Sequence, residues 1–180
     1  MGRLVLVVGP SGAGKDTLIN KARAALAGNG RYHFVRRVVT READAGLEDH
    51  DTMSAADFER AKRNRAFALS WDAHGLSYGI PRAIEDEIAA GHVVVANGSR
   101  RMVAEALGRY PTTQVVLVDA PPEIRAARLA GRGRETLAEV TARLGREAPL
   151  PAGIPVTQVD NSGAVETALA AFLGALRTGD

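Results

Sequence analysis

The 180-residue sequence contains no cysteine, which excludes disulfide bonds, thiol nucleophiles and zinc sites built on thiolates. It also has no apolar run that approaches the roughly 20 residues needed to span a bilayer. The chain enters its first strand-like segment without a signal-peptide pattern. These absences predict a cytoplasmic enzyme with no membrane partner.

A large excess of positive charge is also missing, because 23 basic residues stand against 21 acidic ones and the net charge is only +2. Such a balance gives no support to a nucleic-acid partner. Arginine supplies 20 of the 23 basic residues. Coding bias in a GC-rich genome and selection for phosphate recognition both account for that preference, and only the placement of the arginines separates the two.

What the sequence does contain is an alternation of short apolar, β-branched runs with helical stretches, typical of an α/β fold. A chain of this length with 46% hydrophobic residues suits a single domain spanning 1–180. We expect a three-layer sandwich in which a parallel core sheet carries helices on both faces. The predicted strands are 3–8, 34–39, 92–97, 113–120 and 156–161, and the predicted helices are 16–27, 54–64, 81–90, 99–109, 121–130, 136–147 and 164–177.

The first strand runs into "GPSGAGKD", which has the spacing G-x-x-x-x-G-K of a phosphate-binding loop. Glycines let backbone N–H groups converge on phosphate oxygens, the following helix directs its positive end there, and the lysine adds a charge. Because the motif follows a strand and opens a helix, we predict ATP binding at this loop. The predicted nucleotide-binding residues are Gly9, Pro10, Ser11, Gly12, Ala13, Gly14, Lys15, Asp16 and Thr17.

Asp16 stands where the motif normally has a serine or threonine that binds Mg²⁺. A carboxylate beside phosphates is repelled unless a cation lies between them, so Asp16 indicates a bound Mg²⁺. Many phosphate-loop enzymes also hold Mg²⁺ through an aspartate at the end of a second apolar strand, but "HVVVAN" ends in Ala96 and Asn97. We therefore hypothesise that Asp16 supplies the missing acidic charge as the metal ligand.

Several motifs in a fixed order resemble the guanylate kinase superfamily over nearly the whole chain: "GPSGAGKD", "TREADAG", "SWDAHGLSYGIPRAIEDEIAAGHVVVANGSR" and "RLAGRGRE". Within it, "GKD" and "VVANGSR" are more similar to the ribose 1,5-bisphosphate phosphokinases than to true guanylate kinases. The resemblance implies a P-loop kinase with a small acceptor-binding subdomain at about 34–80 and a lid at about 130–147. It also implies transfer of phosphate from ATP to ribose 1,5-bisphosphate, giving 5-phosphoribosyl 1-diphosphate (PRPP), in phosphonate catabolism.

The resemblance also places the acceptor site, where this sequence departs from guanylate kinases. The glutamate that holds the guanine edge falls at Leu69, which cannot accept those hydrogen bonds. Arg41 and Tyr78 match phosphate-binding positions, and Arg37 replaces a serine. Two further phosphate-binding positions fall at Asp44 and Met53, so part of the nucleotide-specific set is missing.

Other candidate residues lie at the end of the third predicted strand and farther along the chain. Asn97, Ser99 and Arg100 are candidates to bind the hydroxyls and phosphate of a small sugar, although Ser99 could equally be a helix cap. By family resemblance Arg132, Arg134 and Arg143 lie in the lid and are expected to surround the transferred phosphoryl group, and Asn161 is expected near the adenine.

The sequence therefore predicts an ATP- and Mg²⁺-dependent kinase of a phosphorylated ribose, with Lys15 and the lid arginines as catalytic groups. A guanylate kinase or another nucleoside monophosphate kinase is the nearest alternative. A non-catalytic interaction module of the same superfamily is an alternative of another class, against which the retained loop and lid arginines argue. The oligomeric state is left open.

Overall fold

The computed structural model describes residues 1–40, 50–131 and 149–178. Strand β1 (Arg3–Val8) occupies the centre of a five-stranded parallel sheet with the order β2-β7-β1-β8-β9. The other members of this core sheet are β2 (Tyr32–Phe34), β7 (Val93–Asn97), β8 (Gln114–Asp119) and β9 (Val156–Asp160).

Both faces of the core sheet are buried, as the nearly continuous apolar runs predict. On β1, Val5 and Val7 face a cluster that includes helices α1 (Lys15–Ala25) and α6 (Val165–Arg177). Leu4, Leu6 and Val8 face the opposite cluster, to which α3 (Ile84–Ala89) and α4 (Val103–Arg109) contribute. The predicted parallel sheet with helices on both faces is confirmed.

A second sheet of four strands, in the order β4-β3-β6-β5, is built beside the core. Its strands are β3 (Arg37–Val39), β4 (His50–Thr52), β5 (Phe67–Ala73) and β6 (Leu76–Pro81). Strand β3 pairs in parallel with β4 and antiparallel with β6. The turn of the β5–β6 hairpin consists of His74 and Gly75, whose φ angles of 54° and 74° suit a type I′ turn.

The second sheet corrects two sequence predictions. The single strand expected at 34–39 is two strands, because the chain leaves the core sheet after Phe34 and enters the second sheet at Arg37. The helix expected to begin at Pro81 starts later, since Pro81 ends β6 opposite Phe67 and α3 begins at Ile84. The two strands of the hairpin pair with each other, and β6 also pairs with β3, so the hairpin forms one edge of the second sheet.

The remaining helices lie close to their predicted positions. Ser54 caps α2 (Ala55–Arg63) by accepting a hydrogen bond from the Asp57 amide at 3.1 Å, as predicted. The segment predicted at 99–109 begins as a 3₁₀ turn (Arg100–Met102) before α4, and α5 spans Pro122–Ala130. The helix predicted at 136–147 lies outside the described residues. Across the described ranges no helix combines the length and apolar character required to cross a membrane.

A buried arginine fixes the last helix to the core sheet. Arg3 donates to the carbonyl oxygens of Leu176 at 2.6 Å and Thr178 at 3.1 Å, and to the side chain of Gln114 at 3.3 Å. The last carbonyls of a helix have no partner within the helix, and cations near that end are favourable. Arg3 therefore ties the end of α6 to the start of β1.

Replacing this arginine is expected to destabilise the protein. Arg3→Met should lower the free energy of unfolding by about 2 kcal/mol, because buried carbonyl oxygens lose a charged donor. Arg177→Met removes the same charge from an exposed position of α6 and should change stability by less than about 0.5 kcal/mol. Urea unfolding of both variants measures the difference, and equal stabilities would show that Arg3 does not anchor α6.

Candidate functional site

The predicted phosphate loop connects β1 to α1 at the carboxyl ends of the core strands, where ligands of parallel α/β sheets bind. Two of its glycines are required by close approaches. A side chain at Gly9 would collide with the carbonyl of Val118, and one at Gly14 with the amide of Asn161. Gly14 also has a φ of 90° and caps α1 without a side-chain hydrogen bond. The first turn of α1 thus presents bare backbone N–H groups at the loop.

The ammonium group of Lys15 lies over the loop. Its Nζ donates hydrogen bonds to the carbonyls of Gly9 at 2.9 Å and Pro10 at 3.1 Å. The positive charge is thereby held beside the same backbone that presents the N–H groups. This combination of a fixed cation and converging donors is suited to the phosphates of a nucleotide.

Two side chains from other elements stabilise the loop through hydrogen bonds to backbone carbonyls. Asn161, which follows β9 and is 3% exposed, donates from Nδ2 to the carbonyl of Ala13 at 2.7 Å. Arg128 on α5 donates to the Asn161 carbonyl at 2.7 Å and reaches the Ala13 carbonyl at 3.5 Å. The Asn161 backbone amide in turn donates to the Asp119 carbonyl at 2.8 Å, which joins the ends of β8 and β9. The conformation of the loop therefore depends on residues more than a hundred positions away in the sequence.

Asp16, in the first turn of α1, is held between two polar groups from different strands. Asn97, at the end of β7, donates from Nδ2 to Asp16 Oδ1 at 2.6 Å. An Arg37 guanidinium nitrogen lies 3.9 Å from the same oxygen. Asp16 is thus the point at which the phosphate loop, the core sheet and the second sheet meet.

Arg37 is directed toward this point by its position on β3. Its side chain is 13% exposed and its guanidinium lies 5.4 Å from the centre of the Tyr78 ring, a cation–π contact. Tyr78 stacks on Trp71 with ring centres 5.4 Å apart. The neighbouring Arg36 side chain is 53% exposed and pairs with Asp51 at 3.3 Å. Because successive residues of a strand point to opposite faces, the adjacent arginines point in different directions.

A separate groove of about 430 Å³ lies at the other end of the core sheet, beside the first residues of β8 and β9. Its polar lining includes Arg3 and Gln114, both of which bind backbone carbonyls of α6. The groove is far from the loop and its charged group is already used for packing. The loop end of the sheet is therefore the candidate functional site.

Comparison with known proteins shows the family to which this chain belongs. Residues 5–142 match a family model described as an AAA domain. The chain is 51% identical over 173 residues to the ribose 1,5-bisphosphate phosphokinase PhnN of Brucella melitensis, covering 96% of this chain and 90% of that protein. The chain belongs to the ribose 1,5-bisphosphate phosphokinase family.

A second relative in this family is the ribose 1,5-bisphosphate phosphokinase PhnN of Acidiphilium cryptum, which is 54% identical over 176 residues and is matched over 97% of this chain and 92% of its own. Among solved structures, guanylate kinase from Anaplasma phagocytophilum superposes with a TM-score of 0.68 at 20% identity, covering 98% of this chain and 85% of that chain. The structural likeness supports the guanylate kinase-like fold of this ribose 1,5-bisphosphate phosphokinase family member.

The structure brings together part of the predicted site. Lys15, Asp16, Arg37 and Asn97 converge at the loop, and Tyr78 joins them through Arg37. Ser99 caps the 3₁₀ turn by accepting from the Arg101 amide at 3.3 Å, which is the structural alternative left open by the sequence. Arg100 begins that turn and is half-buried, and its role toward an acceptor stays a prediction. Four predicted site residues lie outside the described residues: Arg41, Arg132, Arg134 and Arg143.

The structure shows contacts of Asn161 and Leu69 that the sequence did not predict. Asn161 was expected near the adenine, but its side-chain amide binds the loop carbonyl of Ala13. Leu69, at the position expected to lack the guanine reader, is 1% exposed and packs with Trp71 and Ile80 in the core cluster. An apolar side chain at this position therefore contributes to packing, and it offers no hydrogen bond to a base.

Sequence reasoning missed the support given to the loop by Arg128. One signal was available, because Arg125, Arg128 and Leu129 share a face of α5 at spacings of three and four residues. Leu129 and Arg125 are both buried, and Arg125 donates to the Ala120 carbonyl at 2.9 Å. An arginine on the inward face of α5 was thus a better candidate for supporting the loop than one on an exposed helix face.

Loss of the Asn161 amide is expected to weaken phosphate binding. Asn161→Ala leaves the buried Ala13 carbonyl without its short hydrogen bond, at a cost of about 1 to 2 kcal/mol. The dissociation constant of ADP should therefore rise about tenfold. Gln158→Ala, which removes an exposed amide from the same strand, serves as the control.

Inorganic tripolyphosphate distinguishes support of the loop from contact with adenine. If Asn161 acts on the loop, calorimetry should show weaker binding of both ADP and tripolyphosphate. Weakening of ADP alone would assign the residue to the base, and the loop-support interpretation would be wrong.

Proposed function

We propose that this protein transfers the terminal phosphoryl group of ATP to ribose 1,5-bisphosphate, giving ADP and PRPP. The observation that carries the proposal is the loop with Lys15 and Asp16 facing Arg37 of the second sheet, in a chain about half identical to ribose 1,5-bisphosphate phosphokinases. An oxygen of the acceptor's C1 phosphate forms the new bond to phosphorus. The bond between that phosphorus and the oxygen bridging to ADP breaks.

The chain's own groups can perform this transfer mainly by positioning and charge. A phosphate monoester oxygen is already anionic at neutral pH, so the acceptor needs no strong general base. Lys15 and the N–H groups at the start of α1 hold the donor phosphates, and Arg37 supplies a cation on the acceptor side. The lid arginines Arg132, Arg134 and Arg143, together with Arg41, are proposed to add charge around the same phosphates.

The donor atoms at the loop suit Mg²⁺. Asp16 offers a carboxylate, and the buried Oδ1 of Asn97 beside it has no hydrogen-bond partner among the described residues. Mg²⁺ prefers hard oxygen ligands of this kind. A Mg²⁺ ion held here would supply positive charge beside the phosphates of ATP. We propose Asp16 as the residue that holds it.

The packing around Leu69 supports a sugar phosphate over a guanine nucleotide as acceptor. A site that hydrogen-bonds a base edge discriminates because its polar groups are left unpaired by the wrong ligand. Leu69 is apolar and buried against Trp71, so no such polar group stands at that position. Arg37 and the proposed Arg41 and Arg100 supply more positive charge than one nucleotide phosphate requires, which suits a sugar with phosphates at both ends.

A coupled assay of ADP release tests the acceptor. At saturating ATP and Mg²⁺, kcat/KM for ribose 1,5-bisphosphate should exceed that for GMP by at least about a hundredfold, the scale set by missing polar contacts. The background rate without acceptor is the control. Specificity constants that favour GMP would overturn the proposed substrate, and no turnover with either acceptor would favour the non-catalytic alternative.

The loop lysine is the second test. Lys15→Ala removes the cation fixed over the loop and should lower kcat by about a thousandfold, corresponding to about 4 kcal/mol in the transition state. Lys21→Ala, on the same helix but paired at 3.9 Å with Glu166 of α6, is the matched control and should retain activity. Near-normal turnover in the Lys15 variant would contradict a role in phosphoryl transfer.

A further inference from the structure

The end of β7 carries a carboxamide directly beside the carboxylate of the phosphate loop. Asn97 is the last residue of β7 and stands opposite Val7 of β1 in the parallel register. The following Gly98 donates its amide to the Val7 carbonyl at 2.9 Å, and a side chain there would meet Leu6 Cδ1 at 2.6 Å. The backbone that carries Asn97 is therefore fixed against the strand that leads into the loop.

The orientation of the Asn97 amide is determined by its partner. Nδ2 lies 2.6 Å from Asp16 Oδ1, and Asn97 is 8% exposed. The reversed amide would place two acceptor oxygens against each other at this distance, which is repulsive. A hydrogen bond to a charged group is short and strong, so the NH₂ group is an effective restraint on the carboxylate.

Arg37 adds a second restraint on the same atom. Its guanidinium is 3.9 Å from Asp16 Oδ1 and is itself held over the Tyr78 ring. The contacts from Asn97 and from Arg37 are both made to Oδ1 of Asp16. The carboxylate is consequently oriented by groups from both sheets.

Charge explains why position 97 carries an amide. A carboxylate at the end of this strand would lie within hydrogen-bond distance of Asp16, and two like charges so close cannot both ionise without cost. An uncharged donor avoids that repulsion and stabilises the single negative charge. Asp16 and Asn97 are therefore complementary: the charge at one position requires the neutral donor at the other.

We propose that Asn97 is a positioning residue for the metal-binding carboxylate, acting through its NH₂ group on Asp16 and not by contacting the sugar. This inference rests on the proposed role of Asp16 in holding Mg²⁺. It assigns Asn97 a role different from the sugar contact expected from the sequence. Groups that orient a metal ligand typically alter metal affinity by about tenfold to a hundredfold when removed.

A double-mutant cycle on nucleotide binding tests the proposal. The dissociation constant of ADP is measured by calorimetry with Mg²⁺ and with a chelator, and the ratio of the two gives the enhancement by Mg²⁺. Asn97→Ala should reduce this enhancement by about tenfold or more. In the Asp16→Asn background the same substitution should change it by less than about twofold, because the carboxylate to be oriented is gone.

A second variant guards against simple loss of packing. Asn97→Leu keeps the branched shape and the number of heavy atoms of the amide but provides no donor, so it should reproduce the effect of Asn97→Ala on the enhancement if the NH₂ group is responsible. Thermal unfolding of both variants establishes whether they are folded. The Mg²⁺ concentration that gives half-maximal turnover should rise in parallel with the loss of enhancement.

The outcomes separate this inference from the function on which it rests. If Asp16→Asn weakens the Mg²⁺ enhancement but neither Asn97 variant does, Asn97 is not a positioning residue while Asp16 keeps its proposed role. An equal effect of Asn97→Ala in both backgrounds would also overturn the inference, because Asn97 would then act independently of Asp16. If Asp16→Asn leaves the enhancement unchanged, the proposed metal ligand itself is wrong.

Discussion

The geometry of the site depends on one constraint, the need to hold a loop of bare backbone N–H groups in a fixed shape beside the sheet. The loop cannot stabilise itself, because its glycines provide no side chains for packing. Its support comes from the neighbouring elements, in which Asn161 and Arg128 bind the Ala13 carbonyl or its surroundings. The glycines allow this close approach, since any side chain at Gly14 would displace the Asn161 amide. Hydrogen bonds therefore connect the loop to α5 and to the residue that follows β9.

The distribution of charge around the loop follows from that arrangement. Lys15 lies over the loop, and Asp16 introduces a negative charge one residue later. An unpaired carboxylate facing phosphates would be unfavourable, and in this structure it is met by Asn97 and Arg37. Many phosphate-loop enzymes place an acidic residue at the end of a strand. In this chain the strand end carries the amide of Asn97, and the carboxylate is that of Asp16 on α1. In the proposed metal site, the negative charge therefore comes from Asp16 and the orientation of its carboxylate from Asn97.

The second sheet connects donor binding with acceptor binding. Strand β3 places Arg37 against Asp16, while the β5–β6 hairpin supplies Tyr78, which contacts the guanidinium and is itself stacked on Trp71. The same hairpin buries Leu69 in the core, so the position that would read a base is occupied by a packing residue. The proposed substrate preference is consequently linked to the packing of the sheet as well as to the groups proposed to bind the acceptor.

The sequence by itself determined the parallel core sheet and the phosphate loop, since both are encoded locally. Apolar β-branched runs such as 3–8 and 92–97 identify strands buried on both faces, and glycine and lysine spacing identifies the loop. Only the tertiary structure decided the division of 34–39 between two sheets, the β5–β6 hairpin, and the contacts of Asn161, Arg128 and Asn97. The Asn97–Asp16 and Asn161–Ala13 contacts join residues 81 and 148 positions apart, and no local pattern specifies which distant partner a buried polar group will meet.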